Sequence, residues 1–149
     1  MSTHPKTAAA PEASPARTHS RFGWTLLLVS LTFGTLLEAL EAFRWAPLVS
    51  DVLKHRMWAL AHFHGSALGL LNLVYVRWED TPALGEAARR RASRCLLLGS
   101  TALPLGFLLG GIAHPEGDPS LGIFLAPLGA LLVLSTVATQ TYAAWRGPR

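Results

Sequence analysis

Apolar residues run along this chain in four long stretches, with polar residues crowded into the first 21 positions and three short later segments. Phe22 to Trp45, Met57 to Trp78, Cys95 to Ala113 and Leu121 to Trp145 are each close to or above the length that crosses a bilayer. About 20 apolar residues, rising 1.5 Å each, span roughly 30 Å of hydrocarbon. Pro104 interrupts the third stretch and Pro127 the fourth. Membrane helices tolerate such prolines where neighbours or local kinks satisfy the freed carbonyls. Trp24, Trp45, Trp58, Trp78 and Trp145 fall within a few residues of the span ends, where amphipathic rings settle among headgroups. The pattern predicts an all-α fold: a bundle of four transmembrane helices over 22–45, 57–78, 95–113 and 121–145, joined by short loops.

Residues 1–21 are rich in Ala, Pro, Ser and Thr and hold little to bury, so a disordered tail is expected there, leaving 22–149 as one membrane domain. The first span is too long for a signal peptide's apolar core and ends in Glu, Arg and Trp rather than a cleavage site. It is expected to stay as a permanent helix. Composition agrees, since 50 % of the 149 residues are hydrophobic and only 15 % charged, against about 25 % charged in soluble domains. A soluble globular fold is excluded. One cysteine, Cys95, leaves no internal disulfide and no CxxC or CxxCH motif.

All Lys and Arg except Arg44, Lys54 and Arg56 fall in the tail, the second loop region or the C-terminus. The positive-inside rule then sets both termini and the Arg89-Arg90-Arg91 loop in the cytoplasm, in a bacterial inner membrane. Topology and anionic lipid account for the net charge of +4, so no nucleic-acid partner is implied. The expected partners are the lipid bilayer and a membrane protein or second copy. Gly65-x-x-x-Gly69, Gly106-x-x-x-Gly110 and Gly122-x-x-x-Ala126 are small-residue pairs that let helix backbones approach closely.

Ionisable side chains inside a span cost roughly 2.5–3.5 kcal/mol each on insertion scales, so each asks for an explanation. Glu38 and Glu41 lie near the end of the first span, His62 and His64 near the start of the second, and His114 closes the third. Counted inward from Trp45 and Met57, Glu38 and His64 both lie about 10 Å deep, and Glu41 and His62 about 6–7 Å. His62 and His64 point about 200° apart. The first continues through Gly65, Ser66, Gly69 and Asn72, a small and polar stripe suited to a helix interface; the second continues through Leu68, Leu71 and Tyr75. Asn72 is expected to bond a neighbouring helix.

The functional reading is a Glu/His site in the outer half, for a metal ion, haem or protons. Glu38, Glu41 and His62 are the candidate metal ligands, and His64 and His114 are further cofactor-binding candidates. The plain alternative pairs Glu41 with Arg44 and Glu38 with His62, as polar glue in a non-catalytic accessory subunit.

The segment Arg56-Met57-Trp58-Ala59-Leu60-Ala61-His62-Phe63-His64-Gly65, followed by Gly69, resembles an RMxLxAHxxG segment of hydroxylaminobenzene mutases. These are small membrane proteins that isomerise an arylhydroxylamine to an aminophenol. The resemblance implies a cofactor-independent rearrangement with His62 as catalytic acid or base.

Overall fold

A computed structural model of the protein describes residues 14–77 and 83–146, and those residues form helices and turns without a strand. The first helix, α1 (Pro15–Ala42), begins inside the stretch expected as a tail. Residues 1–13 of that stretch lie outside the described residues. The local cause of the early start is a cap. Ser14 Oγ accepts the Arg17 backbone N–H at 3.3 Å, and Pro15 follows where a missing N–H costs nothing.

A turn with Arg44 at φ +51° leads into the single-turn α2 (Ala46–Val49). Asp51 caps α3 (Val52–Tyr75), accepting the Lys54 N–H at 2.9 Å. The third long helix, α4 (Glu86–Gly110), runs unbroken through Pro104. Ala113 at φ +48° and Gly117 at φ +82° reverse the chain. Ser120 then fastens the hairpin, donating its N–H to Gly110 O at 3.0 Å and its hydroxyl to Leu109 O at 2.6 Å. A 3-10 turn (Leu121–Phe124) enters α5 (Leu125–Arg146), where Pro127 sits harmlessly in the first turn.

Among the described residues, three segments are long and apolar enough to cross a membrane: α1, α4 and the stretch Leu121–Arg146. The expected fourth, α3, is about 36 Å long but carries His62, His64, Ser66 and Asn72 along its middle. It is also a central helix, flanked by α1 and α4.

The long helices pack in chain order, α1 on α3, α3 on α4 and α4 on α5, and the row does not close, because α1 and α5 do not touch. The placement of small residues explains why. The buried stripe of α1 is His19, Gly23, Leu27, Ser30, Gly34 and Leu37, spent on α3; that of α5 is Ala126, Gly129, Thr136 and Ala143, spent on α4. Their remaining faces carry large apolar side chains such as Trp24, Leu28, Leu31, Leu131 and Leu134, which suit lipid and offer no close backbone approach.

The glycine pairs do what their spacing predicts. A Cβ on Gly23 would stand 2.9 Å from the Gly69 carbonyl, one on Gly99 2.8 Å from the Gly129 carbonyl, and one on Gly106 would overlap the Ala126 backbone. Leu68, Leu103 and Ala126 form the buried apolar cluster between α3, α4 and α5.

Candidate functional site

Charged groups divide between the two ends of the row. Arg17, Arg21, Arg77, Arg89, Arg90, Arg91, Arg94 and Arg146 lie toward the end that holds both described termini, where Glu86 pairs with Arg90. The opposite end holds Arg44, Lys54 and Arg56 together with Glu38, Glu41, Asp51, Glu116 and Asp118.

The five residues singled out by the sequence all lie toward this second end, but they do not converge. Glu38 is exposed and makes no hydrogen bond or ion pair with a described residue. Its neighbour Leu37 is on the buried stripe, and one residue's rotation of 100° turns Glu38 away. Glu41 faces His55 at 3.6 Å, both side chains well exposed, and so its partner is neither His62 nor Arg44. Among the described residues no group of three or more His, Cys, Asp or Glu could hold a metal ion. Glu38, Glu41 and His62 are not such a group.

His62 does lie at the α1–α3 interface, as its stripe predicts. Its ring rests on Gly34, where a Cβ would overlap it, and Nδ1–H donates to the Ser30 carbonyl at 2.8 Å. That bond leaves Nε2 as the bare lone pair, without a hydrogen-bond partner among the described residues. His64 points the other way. Its Nδ1–H returns to Leu60 O at 2.8 Å, and its ring stacks on Phe107 of α4 with centroids 4.9 Å apart.

His114 belongs to a separate contact at the surface. Its Nε2 lies 3.0 and 3.1 Å from the two Asp51 oxygens, and its Nδ1 lies 2.9 Å from Pro115 O. Both ring nitrogens face acceptors. The Asp51 carboxylate is pulled from 3.8 down to about 2, chiefly by the Lys54 backbone N–H; desolvation opposes this as the next largest effect, and the Lys54 ammonium and His114 add to the lowering. The contact clasps the start of α3 to the α4–α5 turn.

The most enclosed polar cluster sits at the opposite, arginine-rich end, where the sequence reading placed nothing. His19 of α1 is fully buried. Its Nδ1–H donates to Asn72 Oδ1 on α3 at 2.8 Å, and its Nε2 meets Ser93 Oγ on α4 at 2.8 Å. Asn72 Nδ2 donates to Ser100 Oγ at 2.9 Å and to Leu68 O at 2.8 Å. The His19 ring also packs against Tyr75 at 4.6 Å. Asn72 was expected to bond a neighbouring helix, and it bonds two. His19 escaped notice because it lies inside the Ala/Pro/Ser/Thr-rich stretch. The signal that could have found it is Ser14-Pro15, a helix start, followed by the His19, Gly23, Leu27, Ser30, Gly34 stripe.

Between this network and the opposite end lies a crevice of about 360 Å³, walled by Phe22, Leu26, Val29 and Phe33 of α1 and by Thr101, Pro104, Leu105 and Leu108 of α4, with Ala61 of α3 as its floor. Trp58 bounds it outward, donating Nε1–H to Leu108 O at 3.2 Å and packing on Phe33 with centroids 6.0 Å apart. No protein-family model matches the chain, and no curated protein or solved structure matches it either.

Proposed function

We propose that the protein is a four-span protein of a bacterial inner membrane with both ends cytoplasmic, working as a membrane-embedded proton binder through His62. The orientation is supported by the concentration of arginines at the end of the row where α1 begins and α5 finishes. Alternating helix directions fit four crossings, with α3 tolerating its polar side chains because they face α1 and α4.

The observation that carries the proton reading is the division of labour on the His62 ring. Nδ1 is spent on the Ser30 carbonyl, which sets the tautomer and aims an unpartnered Nε2. One lone pair suffices for one proton. A metal ion needs three or four donors and a bis-imidazole haem needs a second ring, and Glu38, Glu41, His64 and His114 are each turned elsewhere. The experiment is 15N-histidine NMR of the protein in lipid bilayers during a pH titration. Reversible protonation at one Nε2, lost in His62→Gln, supports the reading. A stoichiometric bound metal that leaves in His62→Ala would replace it with the metal reading.

The mutase-like isomerase is the second reading, and what favours it is the aromatic-walled crevice whose Ser30 also holds the His62 ring. In that reading His62 moves a proton on the substrate rather than storing it. Conversion of an arylhydroxylamine to an aminophenol by metal-free protein, abolished in His62→Gln, would establish it.

A further inference from the structure

The crevice between α1 and α4 has a length, a chemistry and a charged lip that together define an occupant. From Phe22 to Phe33 its α1 wall is about 16 Å long, close to half of the roughly 30 Å hydrocarbon core, the depth of one leaflet. The walls are almost wholly apolar, and the Thr101 hydroxyl is already bonded to Leu97 O at 2.9 Å. A hydrocarbon chain would fit along this length.

The inner lip is different. The 2.8 Å contact between His19 Nε2 and Ser93 Oγ locks the register of α1 against α4. Arg21 is two residues beyond His19 and Arg94 one residue beyond Ser93, so the two cations stand within about 3 Å of one level. Arg94 lies two turns before Thr101 and Arg21 one turn before Thr25, which places each near the crevice-facing side of its helix. Both are exposed, and neither makes a hydrogen bond or ion pair with a described residue. Two guanidinium groups without a partner among the described residues, at headgroup level above an apolar slot one leaflet deep, complement an anion carrying an acyl chain.

We propose that the α1–α4 crevice is a binding site for one anionic phospholipid, its acyl chain lying between Phe22 and Phe33 and its phosphate held between Arg21 and Arg94. The proposal rests on the membrane-spanning arrangement and not on His62 chemistry.

The test is native mass spectrometry of the full chain in detergent, with phosphatidylglycerol and phosphatidylcholine of identical acyl chains. One phosphatidylglycerol is expected to be retained in preference to phosphatidylcholine, with the preference falling about fivefold for each of Arg21→Gln and Arg94→Gln. Ala61→Leu, which fills the floor, is expected to lower retention of both lipids while the helical circular dichroism stays unchanged. Should that variant lose helicity, Arg21→Gln/Arg94→Gln alone decides. Equal retention of the two lipids, or a phosphatidylglycerol preference indifferent to both arginines, overturns the proposal. So does a dimer that Ala61→Leu dissociates, which would make a second copy of the chain the occupant. Stabilisation by inorganic phosphate as large as that by the lipid would also overturn it, since the acyl chain would then contribute nothing.

Discussion

The two ends of this molecule carry similar side chains and use them in opposite ways. At the arginine-rich end a buried histidine, asparagine and serine and a half-buried second serine, from three helices, satisfy one another. At the other end the ionisable groups are more numerous, yet they form isolated pairs, Glu41 with His55 at the surface and Asp51 with His114 between two turns, or have no partner among the described residues, as with Glu38. Ionisable character therefore does not identify the interior of this protein; the stripe of small residues does. His19, Ser30 and Asn72 are buried because they lie on faces with glycines that draw the helices together. Glu38, one residue off such a face, is not.

Removing the buried network should have the largest effect. His19→Ala leaves Asn72 Oδ1 and the Ser93 hydroxyl unpaired and opens a cavity at the α1–α3–α4 junction. A loss of about 1–3 kcal/mol is expected, at the lower end if membrane helices find substitute partners. Unfolding in a sodium dodecyl sulfate titration measures it. Asn72→Ala should cost a similar amount.

The Asp51 clasp comes next. Asp51→Asn keeps a capping oxygen but loses the charge facing Lys54 and His114, and a smaller decrease in stability, below that of His19→Ala, is expected in the same titration. Its pH dependence has a definite sign. The folded state holds the Asp51 carboxyl at about 2 rather than 3.8, so its stabilisation is complete above about pH 3.8 and is lost as pH falls through about 2. Hydrogen exchange at the Ala113–Ser120 turn should quicken across that window in the wild type and change less in Asp51→Asn.

The smallest effect belongs to Glu38→Gln. With the carboxylate exposed and unpaired, stability should shift by less than about 0.5 kcal/mol. A loss comparable to that of His19→Ala would mean that Glu38 has a buried partner and would erase the contrast between the ends.

The helical class and the approximate positions of the long helices were legible from hydropathy, because lipid imposes length and apolarity directly. The stripe through His62, Gly65, Gly69 and Asn72 was legible too, as were the close approaches of the glycine pairs. The depth arithmetic for Glu38 and His62 concerned only one coordinate. Depth follows from counting residues, whereas the direction around the helix depends on where the buried stripe drifts, here from Gly34 to Leu37 and so past Glu38. Which helices neighbour one another was illegible for a related reason. Apolarity does not distinguish a face that meets lipid from one that meets another helix, and α1 and α5 each spend their small residues on one neighbour. The start of α1 was obscured by a composition that suits both disorder and a capped helix.

The contrast between the ends stands on the coupling of His19 to Asn72, which a double-mutant cycle of His19→Ala and Asn72→Ala measures in bilayers or mild detergent. The structure predicts that the double variant loses clearly less stability than the two single losses added together, because each single change strands the other partner. Strict additivity would mean that the two side chains do not meet and would contradict the buried polar junction.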